Sequence, residues 1–257
     1  PKVIGGMTPT CQRLAVALYG HVIRKLVPVS STKVAEMVKL LENTFRAVNI
    51  GLVNEIALIC DRLGIDVWEV IAAARTKPFG FMAFYPGPGI GGHCIPSDPM
   101  YLAWKVRVHG FEARFIELAT QINGAMPEYV VEKVAKVLND RRKSLKGARV
   151  LLLGLAYKKD VGDMRDSPAF DVARILEERG ARVAYHDPHV PSTELGGARR
   201  ASTPLTASTL RRSDCVVILT NHAAVDYGLI LRHAPVIVDT RNQYGSLPRG
   251  SVRVVKL

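Results

Sequence analysis

The longest regular pattern in the chain runs from Ser30 to Leu63, SSTKVAEMVKLLENTFRAVNIGLVNEIALICDRL. Val34, Met37, Leu41, Phe45, Val48, Leu52, Ile56 and Ile59 recur at three- and four-residue spacing, the period of one helix face. Ser30, Ser31 and Thr32 offer N-cap oxygens, Glu36 reads as part of the first turn, and Gly64 is a natural stop. At ~1.5 Å per residue the helix would be roughly 50 Å long. A helix of that length serves as a spine between domains or a seam between subunits. So extended an apolar face needs burial, and the pattern predicts dimerisation through it.

The rest of the first half also reads as helical, with a short helix over Asp66–Ala74 and others over Pro99–His109 and Arg114–Asn139. No strand pattern is visible before Ala148. There the period changes. ARVLLLGL, RVAYHD, CVVILT and PVIVDT are short apolar runs separated by helix-length segments. One such segment, SPAFDVARILEERG, has Ser167 as N-cap, Pro168 at the first helical position and Gly180 past its end. Strands alternating with helices imply a parallel sheet covered on both faces. The expected fold is α/β: a long helix and helical domain over 30–140, then a Rossmann-like parallel-sheet domain over 141–257, with 1–29 as a leading segment. The boundary falls at the basic stretch DRRKSLKG.

The net charge of +12 raises nucleic acid, an acidic membrane or a phosphorylated small molecule as partners. No nucleic-acid motif and no basic stripe interleaved with aromatics accompanies it, so we expect no nucleic-acid partner. No apolar run reaches the roughly 18 residues of a membrane helix, and no membrane partner is expected. Cys11, Cys60, Cys94 and Cys215 form no Cys-x-x-Cys pair. That argues against structural zinc and for a reducing, cytoplasmic setting. The N-terminus lacks a signal-peptide pattern and a starting methionine, which we read as a fragment or processed chain.

The stretch FYPGPGIGGHCIPSDP, Phe84 to Pro99, carries the densest chemistry. Gly87-x-Gly89-x-x-Gly92 matches the letters of a dinucleotide fingerprint, but KPFGFMAFYP before it is not a clean strand. Pro88 lies inside the motif, and Pro96 and Pro99 lie just beyond it. The glycines read better as an extended loop whose backbone approaches something closely. His93 and Cys94 are adjacent, and neighbouring side chains rarely converge on one tetrahedral ion, so no metal site is expected. Cys94 is either a buried cysteine or a nucleophile near a helix N-terminus, where a thiolate is stabilised. Asp98 reads as an N-cap before Pro99, and His93 as structural.

GPGIGGHCIPSDP, with KLLENTFRAVNIGLVNE before it and GLAYKKDVGDMRDSPA after it, resembles the UDP-glucose/GDP-mannose dehydrogenase family. The three motifs stand in the family's order and span nearly the whole chain. TKPFGFMAFYPGPGIGGHCIPSDPMYLAWK looks most like the branch acting on UDP-N-acetylglucosamine or UDP-N-acetylmannosamine. The resemblance implies a 6-dehydrogenase of polysaccharide biosynthesis that oxidises a sugar C6 alcohol to the uronate. NAD accepts two hydrides, and a cysteine thioester lies between them, since an aldehyde has no second hydride to give until a nucleophile makes it tetrahedral.

By the same resemblance, Cys94 is the nucleophile, Lys39 and Asn43 stabilise an oxyanion, and Asp98 positions water or assists proton transfer. The loop with Tyr85, Gly87, Gly89 and Gly91 would line the nucleotide sugar. Tyr157, Lys158 and Arg241 would contact the substrate from beyond the carboxyl ends of the strands, where such sheets bind ligands, and Arg165 would reach NAD. Arg75 or Lys77 lies near a further substrate arginine of the family. Asp187, with no glycine fingerprint after the first strand, reads as structural. The family's N-terminal NAD domain finds no counterpart here, PKVIGG resembling its end. The chain is expected to be the central and UDP-binding part, inactive without that domain. The alternative is an inactive UDP-sugar-binding or dimerising fragment.

Overall fold

A computed structural model describes residues 1–245 and 253–257. Its spine is helix α2, Thr32–Leu63, capped by Ser31, whose Oγ accepts the Val34 N–H at 3.3 Å, and closed by Gly64 at φ 69°. Glu36 falls beyond the first turn, which holds no acid. The side of α2 that the chain buries is not the apolar stripe. Asn43, Ala47, Gly51, Asn54, Ala57 and Cys60 are buried, while Met37, Leu41, Phe45 and Leu52 are 46–63% exposed. The reason is close helix packing. A Cβ on Gly51 would lie 3.2 Å from Ala119, so at this point α2 packs closely on α5, Arg114–Asp140.

Two strands precede α2, contrary to the sequence reading. β1 (Lys2–Gly5) and β2 (Leu26–Val29) pair in parallel around α1 (Pro9–Gly20). Each has four residues, and Pro28 interrupts the second, too little for a period to register. After α2 come α3 (Val67–Ala74), capped by Asp66, and α4 (Asp98–Arg107), joined by the long glycine and proline loop. α5 serves both halves of the chain. Its first half packs on α2, while Val130, Val131, Val134, Val137 and Leu138 enter the core beside the sheet.

That sheet has five parallel strands in the order β4-β3-β7-β8-β9, with β3 at Arg149–Leu153, β4 at Arg182–His186, β7 at Cys215–Ile218, β8 at Ile237–Asp239 and β9 at Val254–Lys256. Burial on both faces explains the unbroken apolar runs. Val150 and Leu152 face the α5 and α6 (Pro168–Glu178) side, and Leu151 and Leu153 face α7 (Ala207–Arg212) and α8 (Tyr227–His233). The hairpin β5 (Ser192–Leu195) and β6 (Ala198–Ala201), turned by Gly196-Gly197 at positive φ, and strand β9 were not legible in the sequence. Among the described residues no helix is long and apolar enough to cross a membrane.

Candidate active site

Lys39 and Asn43 stand one turn apart on α2, and the Lys39 Nζ donates to Asn43 Oδ1 at 3.3 Å. Buried Asn43 then donates through Nδ2 to Asp98 Oδ2 at 2.5 Å. Asp98 is the first residue of α4 rather than its cap. Its own N–H donates to the Cys94 carbonyl at 2.8 Å, starting the helix one residue earlier than Pro99 predicts. Ser97 holds the cap position without a side-chain bond, which leaves the Asp98 carboxylate to Asn43. Cys94 is exposed, and so is His93, whose Nδ1 lies 3.9 Å from the Cys94 sulfur. The ring of His93, read as structural from the sequence, borders the thiol.

The glycine loop is clamped rather than open. Asn54 Oδ1 accepts the Gly87 N–H at 3.0 Å, Asn54 Nδ2 donates to Asn123 Oδ1 at 2.8 Å, and Asn123 Nδ2 donates to the Ala47 carbonyl at 3.1 Å. These buried amides tie the loop to α2 and α5. Pro127 lacks the N–H that would meet the Asn123 carbonyl, and that carbonyl faces Gly89 instead. On its other side the loop lies against the sheet unit. A Cβ on Gly87 would meet Arg241 Nη1 at 2.8 Å, one on Gly89 would meet Pro168 at 2.9 Å, and one on Gly91 would meet Tyr157 at 2.7 Å. Gly92, at φ 93°, packs on the Tyr157 ring and donates to the Arg165 carbonyl at 2.9 Å. The absent side chains make room for this protein's own second half.

Beyond the sheet's carboxyl ends, Asp239 accepts the N–H groups of Arg241 and Tyr244 at 3.0 and 3.1 Å and shapes the turn that presents Arg241. The Arg241 Nε donates to the Leu219 carbonyl at 2.7 Å. Burial pulls its pKa down to about 10, against the pull of Asp239. Arg165 forms a two-pronged pair with Asp163, at 3.0 and 2.6 Å, and hydrogen bonding to it holds Asp163 at about 2. That pairing raises the Arg165 pKa, and Cys94 is among the weaker contributors. The Lys158 Nζ sits 5.4 Å over the Tyr157 ring. Tyr85 reaches α3, stacked on Trp68 at 6.1 Å with its hydroxyl accepting from Arg75 Nη1 at 3.1 Å. Arg75 thus meets a loop residue, whereas Lys77 has no side-chain partner among the described residues.

Asp187 sits buried beneath this edge. Burial alone would raise its pKa, but His222 and the N–H groups of His189, Ala156 and Leu155 outweigh it and hold the group at about 2. His222 accepts the Asp160 N–H at Nδ1, 3.0 Å, so its Nε2 carries the proton and faces Asp187 at 3.2 Å. Asp160, His189 and His222 come within 4.8 Å of one another, yet both ring nitrogens of His222 are engaged. Gly87-x-Gly89-x-x-Gly92 lies between α3 and α4, not between a strand and a helix. Among the described residues no glycine fingerprint opens a helix after a strand. Asn54 and Asn123 were missed by the sequence reading. The available signal was Asn43 and Asn54, three turns apart on the small-residue face of α2.

A parallel sheet lies against the cysteine loop, and a lysine–asparagine–aspartate chain runs at the loop's root. Residues 33–125 match the central domain of the UDP-glucose/GDP-mannose dehydrogenase family, and residues 151–246 match that family's UDP binding domain. The chain belongs to the UDP-glucose/GDP-mannose dehydrogenase family. It is similar to the UDP-N-acetyl-D-mannosamine dehydrogenase of Methanococcus maripaludis, 36% identical over 87% of this chain and 49% of the relative. The UDP-N-acetyl-D-glucosamine 6-dehydrogenase of Pseudomonas aeruginosa is 39% identical over 86% of this chain and 52% of its own length. Among solved structures, that of the UDP-D-ManNAc dehydrogenase of Pyrococcus horikoshii superposes with a TM-score of 0.85 at 32% identity, covering 99% of this chain and 59% of that one. The chain thus spans about half the length of the curated relatives it matches.

Proposed function

We propose that this chain is the central and UDP-binding part of an NAD-dependent UDP-N-acetylhexosamine (or UDP-glucose) 6-dehydrogenase. The observation that carries the reading is the unbroken link from Lys39 through Asn43 and Asp98 to the backbone of Cys94. It ties a cation, an amide and a carboxylate to the backbone of the residue whose exposed thiol we assign as nucleophile. A nicotinamide cofactor would supply the hydride acceptor, and Arg165 is the residue of this chain assigned towards it. The other roles rest on chemistry. His93 takes the thiol proton. The Cys94 thiolate adds to the C6 aldehyde, forming a C–S bond and an oxyanion that Lys39 and Asn43 stabilise. Loss of the C6 hydride leaves a thioester. Asp98 orients the water that adds to it, the C–S bond breaks, and thiolate and carboxylate are released. Tyr157, Lys158 and Arg241 hold the diphosphate and sugar against the loop of Tyr85, Gly87, Gly89 and Gly91.

The domain limits 30–140 and 141–257 stand with this reading. The four free cysteines fit a reducing compartment, and we place the chemistry in the cytoplasm. The exposed stripe of α2 is the surface for a second copy of the chain, because Met37, Leu41, Phe45 and Leu52 need burial. Leu41→Glu should turn a dimer into a monomer by sedimentation velocity, and a wild-type monomer at micromolar concentration would refute this.

Cys94→Ala tests the chemical reading in the enzyme supplied with its NAD-binding part. The variant should bind UDP-N-acetylglucosamine or UDP-N-acetylmannosamine in calorimetry yet form no uronate. Full conversion to the uronate would overturn the assignment. Absence of UDP-sugar binding by the wild type would overturn the substrate reading itself.

A further inference from the structure

The sequence carries two basic clusters that the site does not use, DRRKSLKGAR at 140–149 and the pair Arg211-Arg212. The fold brings them to one place, the amino-terminal edge of the sheet, opposite the end that presents Arg241. A cleft of about 410 Å³ opens there between β3, β4 and α7, lined by Arg149, Arg182, Thr203, Ser208 and Arg212 among others. A second concavity shares Ser213 with it and is lined by Arg141, Lys143 and Arg211.

Three features distinguish this cleft from an ordinary basic surface. Arg149 and Arg182 are direct register partners on neighbouring strands, and like charges placed opposite one another are destabilising. Strand alternation turns both towards the α7 face, the side of Leu151 and Ala184. Neither Arg182 nor Arg212 makes an ion pair among the described residues. Asp214, beside the cleft, is taken by Lys143 at 2.6 Å, by the Arg149 N–H at 2.7 Å and by the Arg149 guanidinium at 3.6 Å, which leaves Arg182 and Arg212 unneutralised. The hydroxyls of Thr203 and Ser208 have no partner among the described residues, and the Ala184 side chain provides a small apolar floor on this face.

We propose that this cleft binds an oligophosphate anion, the di- or triphosphate of a nucleotide or a free inorganic chain, at a site separate from the UDP-sugar site. Guanidinium forks and hydroxyls match phosphate oxygens, and the volume suits a nucleotide-sized ligand.

The test is calorimetric titration of the chain with sodium tripolyphosphate and with UTP, with UDP-sugar held saturating. Saturable binding is expected, weakened about tenfold or more by Arg182→Glu combined with Arg212→Glu. Ser208→Asp should weaken it too, and UDP-sugar binding should be unchanged in both variants. Thermal unfolding checks that each variant folds. Tighter binding of UTP than of tripolyphosphate would assign the apolar floor to the base, and equal binding would assign the site to phosphate alone. The proposal fails if charge reversal leaves binding unchanged. It also fails if UDP-sugar competes with tripolyphosphate, or if duplex DNA or phosphatidylglycerol vesicles bind the wild type as tightly and through the same arginines.

Discussion

Replacing Asn54 by leucine, of similar volume, removes the amide that joins α2, α5 and the cysteine loop. Asn54 is fully buried and makes two bonds across the seam, accepting from Gly87 N–H at 3.0 Å and donating to Asn123 Oδ1 at 2.8 Å. Leucine leaves both partners unsatisfied. Each orphaned buried group costs ~1–3 kcal/mol, and the added apolar burial returns ~1–2 kcal/mol, so the net loss is centred on ~2.5 kcal/mol. For a chain of this size that lowers Tm by about 5–10 °C at ~2–4 °C per kcal/mol. Thermal unfolding measures the loss, and hydrogen exchange at the Gly87 amide localises it. The amide should lose its protection while the amides of β7 and β8 keep theirs. If Tm moves by less than about 2 °C and Gly87 stays protected, the amide bridge does not hold the loop and the reasoning fails.

Gly91→Ala places a methyl 2.7 Å from the Tyr157 Cβ and 2.8 Å from the Asp166 carbonyl. UDP-sugar affinity should fall several-fold, and unchanged affinity in calorimetry would show that the seam yields freely. Asp187 is held at about 2 against ~3.9 unfolded, a gap worth roughly 2–3 kcal/mol. The folded pKa is depressed, so this stability is present above about pH 4 and lost as pH falls towards 2. Urea midpoints between pH 2 and 6 should show the loss in wild type and a shallower slope in Asp187→Asn. An identical slope in the variant would assign the acid sensitivity to other groups.

The parallel sheet was legible because strands buried on both faces read as plain apolar runs, and Ser167, Pro168 and Gly180 mark α6 by local chemistry. The length of α2 was legible too, but its orientation was not. Periodicity finds a face that wants burial, and in this chain that face is the exposed one. The side packed on α5 is built of Asn43, Ala47, Gly51 and Asn54, whose value lies in small size and paired amides, which a hydrophobic pattern does not register. At the site, the Lys39–Asn43 spacing was readable from helix geometry, but their connection to Asp98 spans 55 positions of sequence and needs the fold. The glycines of the loop were read as bringing the backbone close to something, and the fold shows Arg241, Pro168 and Tyr157 close against them, partners that sequence spacing does not name.

The clamp of Gly87, Gly89, Gly91 and Gly92 by Arg241, Pro168 and Tyr157 also bears on how modular such a chain can be. The boundary between its two matched domains lies between residues 125 and 151, well past the cysteine loop that interlocks with the second half. A chimera cut at that boundary would join one parent's cysteine loop to another parent's Tyr157, Pro168 and Arg241. Specificity grafted by exchanging the second domain should therefore require the loop from Gly87 to Gly92 to travel with it as part of the same cassette.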